Sequence, residues 1–186
     1  MNLILASESP GRKKVLENAG FVFKVEPSDF IEDMTLPMKP HELVMYLSVG
    51  KARVVAARHH DAIIIGADSV AVFEDQVLGK PHTPENNHKM LSMLSGKVHS
   101  IITGLTVINT KTQKEITQFS ETKVWFRDLS NEEIKKYVDT GEALKKAGGY
   151  AYQLEGKKFV KSIEGSDTTI IGMPLELLQE ILNNEI

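Results

Sequence analysis

Residues 3–14 read LILASESPGRKK, an apolar run that passes within two residues into Ser7, Ser9, Pro10, Gly11, Arg12, Lys13 and Lys14. The run has the composition of a buried strand over 2–6, and the residues after it open a helix over 10–19 that Gly20 closes. Ser9 has the chemistry of an N-cap, and Pro10 suits the first helical position, where its missing N–H costs nothing. A strand that delivers the free amides of a helix N-terminus suits an anion, and phosphate is the natural guest. Arg12 falls in that first turn, and helical side chains lean toward the N-terminus, so its guanidinium reaches the same place. Basic groups oppose the helix dipole there, so another interaction must justify them.

The same alternation continues along the chain. FVFKVE (21–26) alternates like a half-buried strand, and the polar stretch Pro27 to Lys39 carries Asp29, Glu32 and Asp33. A helix is expected from Pro40 to about Arg58, then an all-apolar strand AIIIGA (62–67) ending at Asp68, followed by VAVF, a Glu74-Asp75 turn and QVLGKP. Thr83-Pro84 opens a third helix that Gly96 stops, and two long β-type runs flank a turn near Lys111 to Gln113. Ser130 and Glu133 form a capping box for a helix ending at Gly141, and KAGGYAYQLEG is a glycine-rich loop. Short strands around 157–163 and 168–171 and a helix from Pro174 complete an α/β fold with a mixed sheet, read as one domain over 1–186.

Composition narrows the function. With 186 residues, 41% hydrophobic, and a net charge of −3 with no basic tail, the chain does not look like a nucleic-acid or membrane-surface binder. It has no cysteine, which excludes disulfides, thiolate nucleophiles and cysteine zinc sites. No segment has the layout of a secretory signal, and no apolar run approaches the ~20 residues that span a bilayer. A soluble, cytoplasmic protein is expected.

Four charged positions then compete with bland readings. Asp68, directly after an apolar strand, is either a rigidly held base beside a cleft or a turn-forming residue capping DSV. Lys80, in LGKP, is either a fixed phosphate ligand or a solvated loop lysine. Glu32 either joins Asp68 in binding a hard divalent cation or is a surface charge. Lys51 interrupts an apolar helix face and either reaches across a pocket wall or snorkels to solvent. Together they are chemically consistent, because a nucleoside triphosphate needs several cations, a divalent ion and a carboxylate to prepare a water. The histidines lack metal-ligand spacing, His59 and His60 read as structural residues closing a helix, and GKP lacks the rest of a phosphate loop.

LASESPGR (5–12), GADSVAVF (66–73), LGKP (78–81), MLSMLSGKVHSIITGL (90–105), ETKVWFRDLSNEEIKKYVDTGEALKKAGGYAYQ (121–153) and IEGSDTTIIGMPLELL (163–178) together resemble the Maf nucleotide pyrophosphatases, over essentially the whole chain. The resemblance implies an elongated, two-lobed α/β fold around a cleft, related to the inosine triphosphatase (Maf/Ham1) fold, with homodimers common. It implies hydrolysis of a nucleoside triphosphate to monophosphate and pyrophosphate with magnesium or manganese. On this resemblance Asp68 is the catalytic acidic residue, the proton acceptor for water; Ser7, Arg12, Lys51 and Lys80 are phosphate-binding, and Glu32 is a second acidic, metal-linked residue. Glu121-Thr122 matches the family's ET pair, either structural or lining the cleft. Members preferring dTTP and UTP usually have arginine at the position of Gly11, threonine at that of Ser69 and glutamine at that of Gln153. The 7-methyl-GTP branch usually has tryptophan at the first and an acid at the last. Gln153 matches the pyrimidine group, Ser69 is a near match and Gly11 matches neither, so the reading leans to dTTP and UTP. Hydrolysis of 7-methyl-GTP and a non-catalytic nucleotide-binding regulator of cell division are the alternatives.

Overall fold

The computed structural model describes residues 1–184 and 186. In chain order it contains β1 (Asn2–Leu5), α1 (Pro10–Asn18), β2 (Lys24–Val25), α2 (Pro40–Ala56), β3 (Ala62–Phe73), β4 (Gln76–Leu78), α3 (Pro84–Leu94), β5 (Val98–Asn109), β6 (Lys114–Phe126), α4 (Asn131–Asp139), β7 (Val160–Glu164), α5 (Asp167–Ile171) and α6 (Leu175–Asn184). Among the described residues the strands form a seven-stranded sheet in the order β2-β1-β3-β5-β6-β7, with β4 added on β3. β1 lies parallel to both β2 and β3, with Leu3 opposite Ile63 and Leu5 opposite Ile65, whereas β4 and β7 run antiparallel to β3 and β6. The expected mixed α/β fold is therefore present. No helix of the described residues is long and apolar enough to cross a membrane.

The chain resolves into two compact units. Unit 1 comprises Met1–Ser69, Thr103–Ser120 and Gly172–Ile186, and unit 2 comprises Val70–Ile102 and Glu121–Ile171. In unit 1, α2 turns Leu43, Leu47, Ala52 and Val55 inward, and Ala52 and Val55 pack with Ile4, Ile64 and Ile108. The helix lies unusually close to the strands. A β-carbon on Gly66 of β3 would stand 2.5 Å from the Ser48 carbonyl oxygen, and one on Gly104 of β5 would stand 2.3 Å from that of Val44. Any side chain at either position would push α2 off the sheet, and interiors packed this densely do not absorb that displacement.

Unit 2 has an aromatic core. Phe126 and Tyr150 meet edge to face at 4.8 Å, Tyr137 and Phe159 at 4.9 Å, and His99 stands edge-on to both Phe126 and Tyr150. His99 is 3% exposed and its Nε2 shares a 2.9 Å hydrogen bond with the Tyr150 hydroxyl.

Four local expectations need correction. Ser9 does not cap α1 with its side chain; its N–H donates to Ser7 Oγ at 3.2 Å instead. FVFKVE shrinks to the two exposed residues Lys24–Val25, an edge strand beside β1, and Val22 is 92% exposed. The run around 168–171 is helix rather than strand. There the Ser166 hydroxyl accepts from Thr168 N–H, and this local turn chemistry outweighs the β propensity of Thr168 to Ile171. Most consequentially, AIIIGA and VAVF are one twelve-residue strand, so Asp68 sits inside β3 and not at its end.

Burial lowers the His99 pKa from 6.5 to about 4. Between these values the unfolded chain binds the proton and the folded one does not, so stability falls as pH falls through that window. The slope approaches about 1.4 kcal/mol per pH unit. Urea unfolding midpoints of wild type and His99→Gln, measured from pH 7 to pH 4.5, should show a steeper loss for wild type; parallel curves would refute the assignment.

Candidate active site

Asp68 is 6% exposed, and a carboxylate this far from water is costly unless a cation or hydrogen-bond donors meet it. Lys51 meets it. From the C-terminal half of α2 its ammonium pairs with Asp68 Oδ1, and the same Nζ lies 2.8 Å from Glu32 Oε1. Lys51 is itself 9% exposed, so it points inward and does not snorkel. Glu32 comes from the acidic stretch ahead of α2 and keeps 35% of its side-chain area exposed.

Arg12 supplies the second cation. Its Nε donates to the Gly172 carbonyl at 2.9 Å, Nη1 to Ser7 Oγ at 3.0 Å and Nη2 to Ser69 Oγ at 3.4 Å. Ser69 Oγ in turn lies 2.8 Å from Thr103 Oγ1 on β5. Burial lowers the Arg12 pKa, while the charges of Asp68 and Glu32 oppose the shift; a guanidinium stays charged throughout the physiological range. The three bonds use three of its five N–H donors and fix the plane of the group.

The structure thus gathers Ser7, Arg12, Glu32, Lys51, Asp68 and Ser69 in unit 1. Two cations face two carboxylates, which explains why Arg12 tolerates the positive end of α1. Gly11 is buried in the first turn of α1 and offers only backbone. Lys80 and Gln153 belong to unit 2, both exposed: Lys80 follows β4, and Gln153 stands between two 3₁₀ turns. The segment before Gln153 is tied down by Asn87 Nδ2 on the Gly149 carbonyl at 2.7 Å and by the Ala151 N–H on the Tyr137 hydroxyl at 2.9 Å. In the ET pair Glu121 accepts from Ser100 Oγ at 2.6 Å and Thr122 Oγ1 donates to the Ser166 carbonyl at 2.8 Å. His59 is also structural, bonded to Glu26 at 2.7 Å.

Sequence reasoning missed Thr103 and Gly172. Thr103 was visible only as a hydroxyl inside an apolar β run, and Gly172 acts through its carbonyl, which leaves no mark in sequence. Among the described residues no group of three or more His, Cys, Asp or Glu is placed to hold a metal ion. Asp68 and Glu32 nonetheless converge on one cationic atom. Two hard oxygen donors suit an ion such as magnesium, which takes its remaining ligands from phosphate and water.

The sequence profile of the family described as Maf-like protein matches residues 2–185. The chain belongs to the Maf family. Maf relatives named dTTP/UTP pyrophosphatase include those of Thermoanaerobacter sp. (strain X514), 44% identical over 100% of this chain and 97% of the relative, and of Ruminiclostridium cellulolyticum, 42% identical over 97% and 94%. The protein of the same name from Methanosarcina barkeri is 43% identical over 97% of this chain and 92% of its own. Among solved structures, the Staphylococcus aureus Ham1 protein shares the fold with this Maf chain at a TM-score of 0.53 and 16% identity, covering 100% of both chains.

Removing Lys51 should strand the Asp68 carboxylate. Lys51→Met is expected to cost about 3–5 kcal/mol of unfolding free energy. Lys51→Met combined with Asp68→Asn should recover most of it, since the uncompensated charge is gone. Urea unfolding of the single and double variants checks this, and equal losses in both would contradict the pairing.

Proposed function

We propose that this protein hydrolyses a nucleoside triphosphate to the monophosphate and pyrophosphate, with dTTP and UTP its favoured substrates. The observation that carries the reading is the buried Asp68 carboxylate set beside Lys51 and Arg12. Full-length relatives named dTTP/UTP pyrophosphatase support the reaction and the choice of base.

Asp68, rigid within a strand, takes a proton from a water whose oxygen attacks the α-phosphorus. The bond from that phosphorus to the oxygen bridging to the β-phosphate breaks, and pyrophosphate leaves. Arg12 is prepared for phosphate oxygens, because Ser7, Ser69 and the Gly172 carbonyl fix its plane and leave donors for a ligand. The Lys51 ammonium, shared between two carboxylates, exchanges them for phosphate oxygens, and Ser7 contributes a further phosphate contact; Lys80, in unit 2, is a phosphate ligand on the family resemblance alone. Such preorganised positive charge is worth most where water is excluded. Asp68 and Glu32 are the residues that would hold magnesium or manganese, which when bound neutralises phosphate charge. Gln153 offers an amide donor and acceptor to the edge of a uracil or thymine. Gly11 supplies no side chain to the base. Ser69, committed to Arg12 and Thr103, serves by orienting the guanidinium.

Asp68→Asn keeps the shape and removes the base. Turnover should fall about 10²- to 10⁴-fold, with binding of a non-hydrolysable dTTP analogue retained. Product analysis with dTTP, UTP and 7-methyl-GTP should give pyrophosphate and never orthophosphate. Orthophosphate release would overturn the assigned bond, and full activity in Asp68→Asn would overturn the role of Asp68.

A further inference from the structure

The stretch that carries Glu32 has neither helix nor strand between Val25 and Pro40, yet it delivers a carboxylate to within 2.8 Å of Lys51. Its visible ties are modest. Asp29 pairs with Arg58 at 2.8 Å with its own side chain 78% exposed, where such pairs contribute little, and Asp33 bonds Thr35 two residues on. Ile31 is 89% exposed, and Met34 and Met38 also face solvent.

Phe30 differs. It is half-buried, its ring meets Tyr46 edge-on at a centroid distance of 6.2 Å, and its outer edge lies over Gly50. A β-carbon at Gly50 would stand 2.3, 2.4 and 2.6 Å from three carbons of that ring. Tyr46 and Gly50 are four residues apart on α2 and therefore neighbours on one face, the first a wall and the second a floor without side chain. The residue after Gly50 is Lys51. Two residues of extended chain span at most about 7 Å, so a ring docked on Gly50 confines Glu32 to the vicinity of the ammonium on the next residue of the helix.

We infer that Phe30 is a positioning residue: its ring, latched onto the bare backbone of Gly50, holds the acidic stretch so that Glu32 reaches Lys51 beside Asp68. This rests on the reading of that cluster as the nucleotide site. The latch belongs to unit 1 alone and depends on glycine at position 50. Even alanine there displaces the ring. What is displaced is the free end of a side chain rather than backbone, so α2 and the core beneath it stay intact.

The test compares Gly50→Ala, Phe30→Ala, Glu32→Gln and Gly50→Ala combined with Glu32→Gln, each on the full chain. Hydrogen exchange of the ligand-free protein should rise several-fold over residues 28–36 in Gly50→Ala and Phe30→Ala, with exchange in α2 and β3 unchanged. The manganese concentration giving half-maximal dTTP turnover should rise by the same factor in Gly50→Ala as in Glu32→Gln, and the double variant should be no worse than Glu32→Gln. Unchanged exchange over 28–36 would overturn the latch. Increased exchange with fully additive losses in the double variant would also overturn it, because the stretch would then act other than through Glu32. A Glu32→Gln protein with wild-type turnover at every manganese concentration would instead refute the assignment of Glu32 to the site.

Discussion

A negative charge placed in the interior of a strand is the constraint around which unit 1 is arranged. Asp68 keeps only 6% of its surface exposed, so a cation must come to it, and it must come from an element held close enough for a lysine to arrive. That requirement explains α2. The helix is pressed against β3 and β5 over Gly66 and Gly104, which sets Lys51 at the correct height to meet a carboxylate two residues beyond Gly66. The tight backbone approach and the buried ion pair are one arrangement described from two sides.

The second carboxylate and the second cation extend the same logic. Glu32 adds a negative charge at the mouth of the cluster, and Arg12 adds a positive one fixed by three oxygens. The result is balanced charge with unequal freedom. Arg12 is rigid because its acceptors come from separate parts of the chain, Ser7, Ser69 and Gly172. Lys51 ends in a group shared between two carboxylates that lie on a strand and on an irregular stretch. A polyphosphate therefore meets one cation that needs no rearrangement and one that is free to change partners. Electrostatic preorganisation favours the first, and adaptation to a changing charge favours the second.

Much of this was legible in the residues. Pro10 and Arg12 after an apolar run, Thr83-Pro84, and Ser130 with Glu133 all mark helix starts by local chemistry, and each helix begins where its signal stands. The side chains of the unit 1 cluster were legible because charged residues at those places had to answer to something. Other parts were hidden for identifiable reasons. The run from Thr168 to Ile171 carries β-branched residues, and the short signal of Ser166 followed by Asp167 marks its helical start. β3 was cut in two because a charged residue in an apolar strand looks like its end, whereas here the cation from α2 makes Asp68 admissible in the interior. Gly172 and Gly50 contribute a carbonyl and an empty space, neither of which is a side chain that sequence reading can weigh.

The closeness of α2 to the sheet also bears on how this family member can vary. Positions such as Val55, Ile64 and Ile108 exchange among apolar residues of similar volume at modest cost, because side chains can repack around one another. The two glycine contacts cannot be renegotiated in that way, since what touches there is main chain against main chain. The placement of the helix turn that carries Lys51 is thus inherited from backbone and is largely insulated from drift in the surrounding core. A lineage can rewrite much of the hydrophobic interior of unit 1 while the backbone that carries Lys51 stays where it was against the strand that carries Asp68.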